Sequence, residues 1–243
     1  MTGFAEHVRK RGARSLATFG DSITEGMSAS APEKRWANLL ATFLRVDRLA
    51  NKGIAGTVMQ QSPMADGKPK PNSGRARYER DLLGSDRADV IAILYGFNDA
   101  RYIGAPETFH HANFVRDYKE VLAGLFAAGY RPEDICIGSP PHIPDAGFHV
   151  GTAGFTGQTR EAFQAYVETV KQIAREAGTF YAPVNERMGA EGGDLLLSED
   201  HVHPNDAGHA KIAEIFADAT RLGGYGARSN RAEGPRNAKQ SAA

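Results

Sequence analysis

Apolar and β-branched residues cluster into five short runs, Leu16 to Gly20, Arg48 to Lys52, Asp89 to Tyr95, Asp134 to Gly138 and Thr179 to Val184, each of a length that predicts a strand. Between these runs the apolar period changes. Pro32 to Val46 places Trp36, Leu39, Leu40 and Phe43 at helical spacing; Pro106 to Ala128 does the same with Phe114, Tyr118, Val121, Leu122 and Leu125, and Gly129 then supplies a stop. Thr159 to Ala177, with Phe163, Tyr166, Val167, Val170 and Ile173, predicts a third amphipathic helix. Ala207 to Arg221 predicts a fourth, and Arg75 to Leu83 a shorter one. Strands alternating with helices require right-handed crossovers, so the pattern predicts an α/β fold, a three-layer α/β/α sandwich around a five-stranded parallel sheet.

Two segments break the pattern. Val58 to Gly74, with Pro63, Gly67, Pro69, Pro71 and Gly74, is long and polar for a strand-to-helix link and reads either as a lid or substrate-binding loop or as a surface insertion. Gly223 to Ala243 is rich in Gly, Ala, Arg, Asn and Ser with few apolar anchors and is expected to be a disordered tail. The 243 residues then suit one catalytic domain over residues 1–222. No fixed-period repeat suggests a solenoid.

Charge and cysteine content remove several classes of partner. Lys plus Arg and Asp plus Glu both count 29, so no overall field recruits nucleic acid or an anionic membrane. The single cysteine, Cys136, lies in an apolar run and reads as a small buried strand residue. Arg9, Lys10, Arg11 and Arg14 near the amino terminus are not followed by a long apolar stretch, and no run approaches the roughly 18 apolar residues of a membrane helix. A soluble, cytoplasmic protein is the expectation.

Candidate chemistry gathers at strand ends. Ser22 follows the first run, where open α/β sheets bind ligands. With Glu25 three residues on, it also reads as a helix capping box. Asp200-His201-Val202-His203-Pro204-Asn205 lies between the last predicted strand and the last helix, and there His203 can take a serine proton while Asp200 fixes its tautomer. Asn51-Lys52-Gly53-Ile54-Ala55-Gly56 follows strand two and Tyr95-Gly96-Phe97-Asn98-Asp99 follows strand three. Glycine backbone N–H groups and an asparagine amide are the donors that an acyl-transfer oxyanion requires. Asp21 reads as a brace for the serine loop or as a turn-former.

Gly20-Asp21-Ser22, Gly56, Gly96-x-Asn98-Asp99 and Asp200-x-x-His203 together resemble the four ordered blocks of the SGNH hydrolases, also called GDSL esterases and lipases, from about Phe19 to Ile215. Ile23 stands where the first block usually has Leu. The resemblance implies a flavodoxin-like sheet, Ser22 as nucleophile and backbone donor, Gly56 and Asn98 completing the oxyanion hole, His203 as base and Asp200 as its partner, with no cofactor. Gly53 is the alternative backbone donor, and spacing after Asn51 favours Gly56. Arg75, Arg77 and Arg101 flank the expected site and could grip an anionic substrate.

The function this suggests is hydrolysis of small acyl esters, O-acetylated carbohydrates among them. Thioesters, lysophospholipids and transfer to another alcohol would use the same site. Two other classes compete: a zinc-dependent hydrolase built on Asp200, His201 and His203 with His142, His149 or His209, and a non-catalytic binding module on the same fold. The zinc reading leaves Ser22, Gly56 and Asn98 without a role.

Overall fold

The computed structural model describes residues 2–63, 67–101, 110–150 and 158–223. Its strands are β1 (Ser15–Gly20), β2 (Arg48–Gly53), β3 (Val90–Leu94), β4 (Ile135–Gly138), β5 (Phe180–Ala182) and β6 (Thr220–Arg221). Around them lie α1 (Phe4–Arg11), α2 (Ser22–Glu25), α3 (Trp36–Leu44), α4 (Gly74–Leu82), α5 (Phe97–Arg101), α6 (His111–Ala127), α7 (Arg160–Ala177), α8 (Val184–Glu191) and α9 (Asp206–Asp218). The sheet order is β2-β1-β3-β4-β5-β6, with every pair parallel except β5–β6.

The period of two along each strand divides the core into two layers. Ala17, Phe19, Ile91, Ile93, Ile135, Ile137 and Tyr181 pack with the apolar faces of α4, α6 and α7. Leu16, Val90, Ala92, Leu94, Cys136, Phe180 and Ala182 pack with those of α1, α3, α8 and α9 on the other side. With both faces covered, β1 and β3 are buried at every residue, which is why they read as unbroken apolar runs.

The five predicted strands all form, but the sheet has six. The predicted helix over Ala207 to Arg221 stops at Asp218, Ala219 turns extended, and Thr220–Arg221 pairs antiparallel with Phe180–Tyr181. Two residues are too few to show an alternation. Helix α1 lies in the basic amino-terminal stretch: Phe4, Ala5 and Val8 form its buried stripe while Arg9, Lys10 and Arg11 fill its last turn, where they suit the helix dipole. Helix α8 opens just after Pro183, within the run assigned to the fifth strand, because Pro183 ends the ladder and serves as N-cap. Residues 106–109, the predicted start of the helix that forms α6, and residues 224–243 of the predicted tail lie outside the described residues.

The register explains where a site can form. Gly20 pairs with Gly53 on one side and with Leu94 on the other, so β1, β2 and β3 end level with one another. The chain therefore leaves all three strands at one edge, where β1 lies between a strand that follows it and one reached by crossing over.

Candidate active site

Ser22 is the first residue of the single-turn helix α2 and is almost buried. The capping box expected from Ser22 and Glu25 does not form. Asp21 is the N-cap, its Oδ1 accepting from Ile23 N at 3.0 Å, while Glu25 reaches across to accept from Ala55 N at 2.7 Å. Two adjacent residues, Asp21 and Ser22, each suited the cap, and Asp21 takes it. The Ser22 hydroxyl is left for another partner, and that partner is His203 Nε2 at 2.9 Å.

His203 is presented by a tight loop between Leu197 and Pro204, which form an isolated antiparallel bridge. Ser198 N donates to His203 O at 2.8 Å, and His201 N to Ser198 O at 3.0 Å. Inside the loop Asp200 acts as a hub: its Oδ1 accepts from Val202 N and His203 N, both at 2.9 Å, and from Ser198 Oγ at 2.8 Å. Its Oδ2 accepts from His203 Nδ1 at 2.5 Å. Wrapping the chain around one carboxylate forces His201 to a positive φ of 60°. A carboxylate only accepts, so Nδ1 carries the ring proton and Nε2 presents its lone pair to the serine hydroxyl. Burial acts to raise the Asp200 carboxyl, but the His203 ring and backbone, Val202 N–H and Ser198 hydroxyl outweigh it and hold the group well below the usual carboxylate range. Pro204 directly precedes Asn205, the N-cap of α9.

Asn98 sits buried in α5, its Nδ2 donating to Thr57 O at 2.9 Å and reaching Asp21 Oδ2 at 3.5 Å. Asp99 turns away from the mouth. Its carboxylate accepts from Met59 N at 2.9 Å and Gln60 N at 3.0 Å. Burial pushes Asp99 up to about 6 against those N–H donors. It pushes Asp21 up to about 7, opposed by the Ile23 N–H and assisted by the Asp99 charge.

The two glycines of the second loop are distinguishable. The Gly53 N–H is held by Asn51 Oδ1 at 2.9 Å, and a Cβ there would lie 2.0 Å from Glu25 N, so this glycine exists for close packing of β2 on α2. Gly56 adopts a φ of +71° and a Cβ there would have no neighbour within 4 Å. The base of the Val58 to Gly74 segment is pinned rather than free. Val58, Met59, Gln60 and Ser62 are buried, Gln61 N donates to Asp117 at 2.7 Å, and Gly74 N donates to Val58 O at 2.7 Å. Residues 64–66 of that segment lie outside the described residues.

The arginines separate by environment. Arg77 is buried and points into the protein. It donates to Gly20 O at 2.8 Å, Lys52 O at 2.9 Å, Asn72 O at 3.1 Å, the Tyr95 hydroxyl at 2.5 Å and Asp81 at 2.5 Å. Its guanidinium also lies 4.3 Å from the Phe19 ring centroid. Arg77 thus knits together the ends of β1, β2 and β3 instead of gripping the anionic substrate that its place beside the expected site suggests. Arg75 pairs with Glu120 at 2.6 Å, and Arg101 donates to Asn98 Oδ1 at 3.4 Å and to Val150 O.

The histidines of the zinc reading are dispersed. His142 pairs with Asp194 at 2.7 Å, His209 is buried between two backbone groups, and His201 is exposed. Among the described residues no three His, Cys, Asp or Glu side chains gather as metal ligands would. No helix among them is long and apolar enough to cross a membrane.

A mostly parallel α/β sheet with serine, histidine and aspartate hydrogen-bonded in sequence at its carboxyl edge defines an SGNH-type hydrolase. The chain belongs to the GDSL-like lipase/acylhydrolase family, whose sequence profile matches residues 18–211. It is similar to an acetylxylan esterase of Geobacillus stearothermophilus, 25% identical over 175 residues, which cover 70% of each chain. The fold resembles that of a lipase/acylhydrolase from Enterococcus faecalis, with a TM-score of 0.64 and 18% identity over 84% of this chain and 93% of that one. It also resembles an acetyl xylan esterase structure from Geobacillus stearothermophilus, with a TM-score of 0.59 and 20% identity over 86% of this chain and 97% of that one. Solved catalytic mutants of that esterase replace an aspartate and a histidine three positions apart.

Proposed function

We propose that this acylhydrolase cleaves acetyl esters through a covalent intermediate on Ser22, with O-acetyl groups on carbohydrate as its substrate class. The observation that carries the reading is the unbroken chain Ser22 Oγ, His203 Nε2, His203 Nδ1, Asp200 Oδ2, with separations of 2.9 Å and 2.5 Å at its two hydrogen bonds.

His203 takes the proton as Ser22 Oγ bonds to the acyl carbon, and Asp200, kept ionised by its four donors, stabilises the imidazolium. Negative charge builds on the carbonyl oxygen. Ser22 N–H has no partner within the helix because it is the first residue of α2, and Gly56 N–H and the Asn98 amide are the two further donors of the reading. Gly56 is favoured over Gly53, whose N–H is already committed to Asn51. The longer contact of Asn98, 3.5 Å to Asp21, is the weaker of its two and the one an oxyanion displaces. Collapse of the intermediate breaks the bond to the alcohol, which leaves with the proton from His203. Water, deprotonated by His203, then adds to the acyl carbon and releases acetate and the Ser22 hydroxyl.

The acetyl preference draws on the acetylxylan esterase relative, and solved structures of the same type include an acetyl-xylooligosaccharide esterase. A panel of esters varied in acyl length and alcohol, including acetylated xylo-oligosaccharides, tests it beside Ser22→Ala. Highest kcat/KM on acetyl esters, lost in Ser22→Ala, is expected. A preference for long acyl chains or for thioesters would overturn the substrate class, and an active Ser22→Ala would overturn the mechanism.

A further inference from the structure

We infer that His209, outside the serine–histidine–aspartate chain, is a positioning residue that holds the Ser22 turn within hydrogen-bond reach of His203. The inference rests on the proposed roles of Ser22 and His203.

Helix α2 has four residues, too few to hold its shape alone. Its exit folds back onto its start: Gly26 N and Met27 N both donate to Ser22 O, at 3.1 Å and 3.0 Å. Whatever fixes the Met27 peptide therefore fixes Ser22. Met27 O is held by His209 Nε2 at 3.0 Å, and the other ring nitrogen, Nδ1, lies 3.3 Å from Trp36 N at the start of α3.

The two partners dictate the ring's state. A carbonyl oxygen only accepts and a backbone N–H only donates, so His209 is neutral with its proton on Nε2. The side chain is fully buried, so water does not compete for either bond. Burial lowers its proton affinity, opposed by the Met27 carbonyl and Asp206 and reinforced by His203 and Arg35.

What makes the contact more than packing is where His209 stands. Helix α9 begins at Asp206, three residues after His203, and its first turn carries both His209 and Asp206. Asp206 accepts from Ser30 N at 2.8 Å and from Ser30 Oγ at 2.6 Å. The segment leaving the nucleophile, Met27 to Ser30, is thus docked at two places onto the helix that follows the base. Ser22 and His203 are 181 positions apart, and this clamp is a direct brace between their two elements. A displacement of about 1 Å between reacting groups can cost on the order of 10²-fold in rate.

Two substitutions separate positioning from packing. In His209→Gln the amide nitrogen falls where Nε2 was and can still donate to Met27 O, while the Trp36 N–H loses its acceptor. In His209→Asn the amide oxygen falls near Nδ1 and can accept from Trp36 N, while the Met27 bond is lost. Each variant forfeits one buried hydrogen bond, so both should lose similar thermal stability. Only His209→Asn should lose kcat, by about 10- to 100-fold with KM little changed, and its Ser22 should react correspondingly more slowly with a fluorophosphonate. Equal kcat in the two variants, or losses that simply follow Tm, would overturn the inference. Ser22→Ala, run alongside, reports separately on the underlying reading: if it stays active, that reading has failed and not the brace alone. Should the His209 variants not fold, Asp206→Ala loosens the same segment from the surface. It should lower kcat by roughly 3- to 10-fold at constant KM, and an unchanged kcat would overturn the inference.

Discussion

Asp200→Asn changes one atom and leaves the side-chain volume intact. The amide can enter the loop in two orientations, and the structure decides between them. Oδ1 of Asp200 faces three donors, Val202 N, His203 N and Ser198 Oγ, at 2.8 to 2.9 Å, whereas Oδ2 faces only the His203 ring. Turning the NH₂ toward two backbone N–H groups would set donor against donor, at about 1–3 kcal/mol for each group left unsatisfied. The oxygen therefore stays with the backbone and the NH₂ meets the ring. His203 Nδ1 must then accept, its proton moves to Nε2, and that N–H now points at Ser22 Oγ. The base is replaced by its wrong tautomer while the loop keeps its hydrogen bonds. A loss of about 10⁴-fold in kcat is expected, equivalent to roughly 5.4 kcal/mol at 1.36 kcal/mol per tenfold, with Tm little changed. Steady-state hydrolysis of a chromogenic acetate, with calorimetry on the same samples, measures both. A kcat within about tenfold of the parent in a variant of parental Tm would refute the tautomer argument.

Other outcomes follow from neighbouring residues. Asn98→Ala should lower kcat by about 10²- to 10³-fold, the cost of one oxyanion donor; an unchanged kcat would remove Asn98 from the site. Gly53→Ala should destabilise by about 1–3 kcal/mol or more, because its Cβ would meet the Glu25 backbone. Gly56→Ala meets nothing within 4 Å and should cost only the roughly 1–2 kcal/mol of a left-handed φ; thermal melts that rank the pair the other way would contradict the packing. For Asp21, raised to about 7 in the folded state, the unfolded chain holds fewer protons between about pH 4 and 7. Its contribution to stability is full below that window and is lost as pH rises through it. Asp21→Asn keeps the cap acceptor and should flatten Tm against pH across this range, with Asp99 left to supply a residual slope; parallel Tm curves for the two proteins would contradict the burial of an ionisable Asp21.

Most of the candidate site was legible because its chemistry has few substitutes. Ser22 and Asn98 are reactive or donor residues just past the ends of β1 and β3, which a parallel sheet whose strands end level brings together, and Asp200 and His203 stand three apart in the loop before the last helix. What stayed hidden depends on side-chain direction. Arg77 reads as a candidate substrate grip until the Phe19 and Tyr95 rings and three carbonyl oxygens are seen around it. His209 reads only as a candidate zinc ligand, and its contacts stay hidden because neither of its partners, Met27 O and Trp36 N, is a side chain. Asp21 and Ser22 carried the same local capping signal, and only the position of His203 shows why the carboxylate caps and the hydroxyl does not. Strand β6 and helix α8 were lost for a different reason: two residues carry no period, and Pro183 divides one apolar run between two elements.

The central claim is a covalent acyl-enzyme on Ser22. Rapid acid quench of the enzyme during turnover of an activated acetate ester, followed by intact-mass and peptide mass measurement, tests it most directly. One acetyl group per chain, located on the peptide that holds Gly20-Asp21-Ser22 and absent in Ser22→Ala, is the expected result. Turnover with no adduct, or an adduct that persists in Ser22→Ala, would contradict it.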